Sequence, residues 1–222
     1  MIASGGATPP TPDTGDLSNY VQDGLVLHLD GINKGGTSGR WSSLVGSTYY
    51  TLNTHSTEET DAILMDGAGY ITATSPVSVN YKSGTIEVCA QILGVGAYAL
   101  VYGPTGTLSF SLGSSGNKFS FGVKSPADRN SWELTPQSLF TMSMNSDRCC
   151  LNGASAGTAT QDGWGNNLSS YTIGGREYGT NKYYANARIY SIRFYNRKLT
   201  ESEMLNNQAV DNARFNLGLN IQ

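Results

Sequence analysis

The sequence predicts an all-β chain: a jelly-roll β-sandwich of two antiparallel sheets with a short C-terminal helix. Three observations carry this expectation. Short runs exchange apolar and polar residues at every second position, which is the period of a strand. Between these runs, some of the 27 glycines among 222 residues stand in Asp-Gly, Asn-Gly, Gly-Pro and Gly-Ser-Ser-Gly turns, the punctuation of many short strands stacked in two layers. The third observation is a single departure from strand character. Thr200 followed by Glu203 has capping-box spacing, in which the Thr hydroxyl takes the amide of the third helical residue and the Glu side chain returns to the Thr amide. A helix is therefore expected from Glu201 to about Phe215.

Taken in order, residues 1–20 are rich in Gly, Pro, Thr and Ser and are expected to form a flexible arm, because they bury too little apolar surface to offset the cost of ordering. Residues 21–222 are expected to form one sandwich domain, since no Pro-rich or charged linker divides them. Gly24 to Asp30 reads as the first strand, with Leu25, Leu27 and Leu29 on one face and Val26, His28 and Asp30 on the other, which makes His28 a rim or partly covered sheet residue. A turn-rich loop over residues 31–40 leads to Trp41. Tyr49–Asn53 and Ala62–Met65 are expected to pair around the polar loop Thr54–Asp61, with Asp66-Gly67 turning into Tyr70–Thr74.

Gly84–Ile92 sets Ile86, Val88, Ala90 and Ile92 against Thr85, Glu87, Cys89 and Gln91, a strand with one buried face. Tyr98–Tyr102, Thr107–Leu112 and Lys118–Val123 follow as strands. Phe140–Met144 and Arg148–Leu151 form a hairpin about Asn145-Ser146-Asp147, and Asn152-Gly153 turns the chain again. Thr158–Leu168 reads as a polar loop, Ser170–Ile173 as a strand and Glu177–Tyr184 as a second loop. In the long strand Ala187–Tyr195, strict alternation directs Ile189, Ser191, Arg193 and Tyr195 one way and Arg188, Tyr190, Ile192 and Phe194 the other. The helix carries Met204, Leu205, Ala209, Val210 and Ala213 as one apolar stripe.

The run RIYSIRFYNRKLTESEM, Arg188 to Met204, resembles the closing signature of the concanavalin A-like lectin/glucanase superfamily in its laminin-G-like, non-catalytic branch. That signature is a last strand ending in an aromatic residue, Asn and Arg, followed by Leu, Thr and an acidic pair that opens a helical turn. GLVLHLDG at Gly24–Gly31, WSSLVG at Trp41–Gly46, AILMDGAGYI at Ala62–Ile71, GTIEVCAQI at Gly84–Ile92, CLNG at Cys150–Gly153 and YTIGGR at Tyr171–Arg176 stand in the expected order. The resemblance covers everything after the arm. It implies a sandwich of the kind found in phage and bacterial surface proteins, with sugar as the default ligand and a calcium ion at a rim, although no dense run of acids marks residues for that ion.

Composition narrows the partners. The formal charge of -3 argues against nucleic acid, whose phosphates select a basic face. No apolar run approaches the length of a membrane span. Three cysteines, two of them the neighbours Cys149 and Cys150, do not make a disulfide framework, and Cys89 reads as a small buried hydrophobe. His28 and His55 lack zinc-ligand spacing.

Two chemistries then compete. A retaining glucanase needs two carboxylates about 5 Å apart across the sugar bond, which on a strand means alternating acids facing one cleft. Glu58 and Glu59 are adjacent, Glu87 is alone on its strand, and Glu201 and Glu203 open the helix, so the chain is expected not to be an enzyme. Binding requires instead an aromatic platform beside a few placed polar groups. The 161–167 loop offers Asp162, Trp164 and Asn166, and the 177–184 loop offers Tyr178, Tyr183 and Tyr184. Together they are the expected ligand site if both loops meet at one rim; alternatively Trp164 covers a sheet edge and the tyrosines pack on the outer face. The expected function is a binding or adhesion module for a glycan or surface polysaccharide, displayed on a virion or cell surface. In the alternative, it is a structural decoration or fibre protein of a virion, attached to a larger assembly through the arm. The amino terminus lacks the basic start and apolar core of a secretory signal, which leaves arrival by assembly or cutting from a longer secreted chain, and Met1, read as a native start, favours the first.

Overall fold

A computed structural model of the chain describes residues 17–75, 77–80, 83–94, 98–102, 109–112, 118–122, 130–133, 137–157 and 171–221. A 3-10 turn at Leu17–Asn19 precedes β1 (Leu25–Asp30), β2 (Arg40–Ser42), β3 (Tyr49–Thr51), β4 (Ser56–Glu58), β5 (Ile63–Asp66) and β6 (Ile71–Thr72). Next come β7 (Thr85–Ile92), β8 (Tyr98–Tyr102), β9 (Ser109–Leu112), β10 (Lys118–Gly122), β11 (Asn130–Glu133) and β12 (Leu139–Asn145). The chain closes with β13 (Cys149–Leu151), β14 (Ala154–Gly157), β15 (Thr172–Ile173), β16 (Gly175–Tyr178), β17 (Asn181–Tyr184), β18 (Asn186–Tyr195) and α1 (Glu201–Arg214).

Two antiparallel sheets face each other, as the alternation predicts. One runs β14-β13-β12-β7-β18-β5-β4, with β1 also on β18; the other runs β11-β10-β9-β8-β15-β6. The ten-residue β18 is the spine of the larger sheet. Its first half pairs with β5 and its second half with β1, end to end, while β7 runs along its other side. Side chains of both sheets interleave in one core that includes Leu27, Ile63, Val88, Phe140, Ile189, Phe194, Val101 and Ile173. Trp41 is fully buried there, and its indole Nε1 donates to the Asp30 carbonyl at 2.9 Å.

Strict alternation fails where strand registers slip, and two of these slips re-aim core residues. The pairing of β18 with β7 slips between Ile189 and Ser191, so Ile189 faces the same core as Ile192 and Phe194, and Tyr190 goes to the opposite side with Phe215. A second slip, between Leu25 and Leu27 on β1, turns Leu25 towards Tyr195 and Met204 and leaves Val26 against the sandwich core. An extra residue reverses the facing of everything beyond it. The expected pairing of Tyr49–Asn53 with Ala62–Met65 is also replaced, because β3 pairs with β2 and β5 pairs with β4 and β18. The β12–β13 hairpin forms as expected, with the Asn145 carboxamide oxygen accepting from the Asp147 and Arg148 amides. Asn152 and Gly153 both sit in the left-handed region that such a tight turn requires.

The outer face of the larger sheet is covered. Thr85, Glu87 and Cys89 on β7 are as buried as Ile86 and Val88 behind them, so this strand has two buried faces instead of one. The cover is α1. Its inward residues are Met204, Asn207, Gln208, Asp211 and Arg214, not the apolar stripe the sequence suggests; Ala209 and Ala213 are exposed. Polar side chains of the sheet meet polar side chains of the helix and are satisfied there, as buried polar groups must be. Asp211 accepts from Tyr20, Thr141, Ser191 and twice from Arg193. Glu87 accepts from Ser143, Arg193 and Asn207. Arg214 clamps Asp30 through Nε at 2.7 Å and Nη2 at 3.0 Å. These bonds tie α1 to β1, β7, β12 and β18 at once, so the network fixes where along the sheet the helix rests.

The segment before β1 joins the same layer. Tyr20, the last residue of the expected arm, is buried beside Arg193, whose guanidinium lies 4.2 Å from its ring centroid. His28 is not at a rim but 1% exposed, with its ring edge-on to Tyr20. Residues 1–16 of the expected arm lie outside the described residues.

The capping box at Thr200 forms as its spacing predicts: the Glu203 amide donates to Thr200 Oγ1 at 3.3 Å, and the Thr200 amide donates to Glu203 at 2.8 Å. Arg197 also holds Glu203 from outside at 2.6 Å. Thr200→Ala is expected to lower stability by about 1 kcal/mol, read as a shift of the urea midpoint with an unchanged denaturant slope. An undetectable shift would mean that tertiary contacts alone set this helix start.

Candidate functional site

Of the residues that sequence reasoning groups into one site, Asp162, Trp164 and Asn166 lie outside the described residues. Tyr178, on β16, stands opposite Asn181 in register, and its side chain is likewise outside what is described. Tyr183 and Tyr184 are well placed, but not on a shared face. The 177–184 segment is not a loop: β16 and β17 form a hairpin pairing Gly175 with Tyr184, Arg176 with Tyr183 and Glu177 with Lys182. Alternation along a strand therefore sets Tyr183 with Arg176 on one face and Tyr184 with Glu177 and Lys182 on the other. The contacts agree, since the Arg176 guanidinium lies 4.5 Å from the Tyr183 ring centroid while the Tyr184 hydroxyl donates to Glu177.

A second aromatic that sequence reasoning missed completes the Tyr184 face. Tyr70, in the turn between β5 and β6, lies with its ring centroid 6.2 Å from that of Tyr184, the planes tilted by 38°. Both rings are half-buried, so each keeps part of its surface exposed. Asn53 fixes the Tyr70 backbone, its carboxamide donating to the Tyr70 carbonyl at 2.9 Å. Gly69 lets the His55 imidazole lie directly against the backbone, where a Cβ would collide with the ring. His55 in turn meets Asp66, Nδ1 to Oδ2 at 3.1 Å, and the other Asp66 oxygen accepts the Ala68 amide at 2.8 Å. An ionised carboxylate only accepts, so the neutral imidazole carries its proton on Nδ1 and leaves Nε2 as an acceptor.

Three chain segments thus converge: 53–55, 66–70 and 177–184. They present two phenol rings flanked by an imidazole, two carboxylates, an ammonium and a carboxamide. The Lys182 ammonium stands 5.9 Å from the Tyr184 ring centroid and 4.0 Å from Glu177. The hydrogen bond to Glu177 pushes the Tyr184 hydroxyl up to about 12, so it remains a protonated donor throughout the physiological range. Such a surface can stack the apolar face of a ring while reading its hydroxyls at the edges.

Two pairs of described carboxylates stand in different settings. Glu87 and Asp211 converge on Arg193, but all three side chains are 0% exposed and enclosed between sheet and helix. Burial would favour a neutral Arg193, and Asp211 and Glu87 outweigh it to keep the guanidinium charged. Asp66 and Glu177 are reachable but about half exposed, at 45% and 48%, with no enclosure of the kind that tunes a catalytic acid. Among the described residues, no group of three or more His, Cys, Asp or Glu side chains is placed to hold a metal ion. The three cysteines are buried and free, and burial raises each thiol. No helix among the described residues is long and apolar enough to cross a membrane.

A laminin-G-type family model of the concanavalin A-like lectin/glucanases superfamily matches residues 34–204. No curated protein sequence matches the chain. Among solved structures, Trypanosoma rangeli sialidase in complex with sialic acid superposes with a TM-score of 0.63 at 15% identity, over 86% of this chain and 33% of that one. Botulinum neurotoxin type C, which depends on interaction with two ganglioside molecules to get into cells, gives 0.59 at 13% identity, over 86% of this chain and 51% of that one. The receptor-binding domain of botulinum neurotoxin type G gives 0.64 at 12% identity, over 85% and 51%. The chain thus spans a third of the sialidase and half of the toxin structures, and at these identities the likeness is one of fold.

Proposed function

The chain belongs to the concanavalin A-like lectin/glucanases superfamily, and from that premise we propose that it is a non-catalytic recognition module that binds carbohydrate at the Tyr70–Tyr184 rim. The observation that carries this reading is the tilted tyrosine pair with hydrogen-bonding side chains on both flanks. The ring pair supplies an apolar platform, and Asn53, His55, Asp66, Glu177 and Lys182 supply donors and acceptors around it. The sialic acid and ganglioside contacts of the fold neighbours support a sugar as the ligand class. The absence of enclosure around Asp66 and Glu177 supports recognition over turnover.

Tyr184→Ala is expected to weaken glycan binding about tenfold, the loss of one stacking platform. Tyr183→Ala, on the opposite face of the hairpin, should bind as wild type. Titration calorimetry against the best ligand from a glycan array measures both. Equal losses in the two variants would place the ligand elsewhere, and release of reducing sugar from that ligand by the wild type would overturn the non-catalytic reading.

A further inference from the structure

The charge pattern of the rim selects among sugars, an inference that rests on the carbohydrate reading above and goes one step past it. Among the described residues around Tyr70 and Tyr184, the ionised groups are two carboxylates, Asp66 and Glu177, and one ammonium, Lys182. His55 adds no charge while neutral, and its Nδ1 proton is spent on Asp66. Arg176, the other cation of the hairpin, is stacked on Tyr183 on the far face. Lys182 is 67% exposed and 4.0 Å from Glu177, so it offsets one carboxylate and leaves the other. Asp66 is held by the His55 imidazole and the Ala68 amide.

We infer that the Tyr70–Tyr184 rim takes neutral sugars and rejects sugars bearing a carboxylate. The hydroxyls of a neutral hexose donate to carboxylates and to a bare imidazole nitrogen, and this rim is rich in such acceptors. A sialic or uronic acid stacked on the same rings would bring its own carboxylate close to Glu177, which accepts from the Tyr184 hydroxyl, on the rim that Asp66 also lines. Like charges brought together on a half-exposed surface repel enough to cost roughly tenfold in affinity, and salt screens the effect.

The test is an array of matched glycans, identical except for a terminal neutral or acidic sugar, followed by titration of the best pair at low and at high salt. Neutral members should bind about tenfold tighter at low salt, with the gap closing as salt rises. Asp66→Asn keeps an oxygen for the Ala68 amide while removing the charge, and should narrow the gap to roughly threefold; Glu177→Gln is the second variant, with circular dichroism confirming that each is folded. Acidic glycans binding as tightly as neutral ones, with Tyr184→Ala still lowering affinity, would overturn the selection and leave the carbohydrate site standing. If neither class binds, both this inference and the site fall.

Discussion

Arg193→Met is expected to destabilise the protein by roughly 3–5 kcal/mol, the cost of leaving buried charges without their partner. The guanidinium donates from Nε to Glu87 at 2.8 Å and from Nη1 and Nη2 to the two Asp211 oxygens at 2.7 Å each. All three side chains are 0% exposed, so water cannot replace what is removed. Against a total stability of about 5–15 kcal/mol for a domain, such a loss takes away about a fifth or more. Urea unfolding followed by tryptophan fluorescence would read it as a large fall in midpoint. Arg193→Lys should recover little, because an ammonium cannot span two carboxylates as the planar fork does. Adding Glu87→Gln and Asp211→Asn to Arg193→Met should restore part of the loss, since no buried charge is then left unpaired. A single variant that unfolds within about 1 kcal/mol of wild type would show that the network is hydrated and that its buried geometry is wrong.

Much of the sandwich is legible in the sequence because its inner faces obey one rule. Ile86, Val88, Ala90 and Ile92 recur at period two and all enter the core, and Thr200 and Glu203 sit at the spacing a capping box needs. The bulges at Val26 and Tyr190 are not legible, since an inserted residue leaves no mark in composition and only pairing with a neighbour strand reveals it. The helix misleads for a related reason. Hydrophobic periodicity assumes an apolar partner, whereas here the partner surface is Glu87, Ser143, Ser191 and Arg193, so the buried face is the polar one. The β16–β17 hairpin hides because Arg176, Glu177, Asn181 and Lys182 give a strand without apolar alternation. Tyr184 could be singled out as an aromatic among polar residues, but Tyr70, His55 and Asp66 reach it only through the fold.

Lowering the pH from 7.5 to 4.5 is expected to cost wild type close to 3 kcal/mol more than His28→Phe, and the cause is a histidine kept neutral by its surroundings. Burial, and then the charges of Arg193 and Arg214, depress His28 from 6.5 to about 3, with only Asp211 acting against them. The groups facing it are Tyr20 edge-on at 5.0 Å, Asp30 at 3.9 Å and that pair of arginines. Nε2 has no hydrogen-bond partner, so nothing nearby accepts the proton of the charged ring at bonding distance. The sign follows from proton binding. Between pH 6.5 and about 3 the unfolded chain holds one proton more than the folded one at this site, so stability falls as pH falls, by about 1.4 kcal/mol per unit. Two units below 6.5 therefore amount to nearly 3 kcal/mol, and above 6.5 the contribution vanishes. Phenylalanine keeps a ring against Tyr20 and cannot titrate, while all other groups titrate in both proteins and cancel in the difference. Urea midpoints of the two proteins across this range, converted with their denaturant slopes, measure that difference directly. Parallel curves would mean that His28 gains a proton without opening the layer between α1 and the sheet, and would refute its enclosure there.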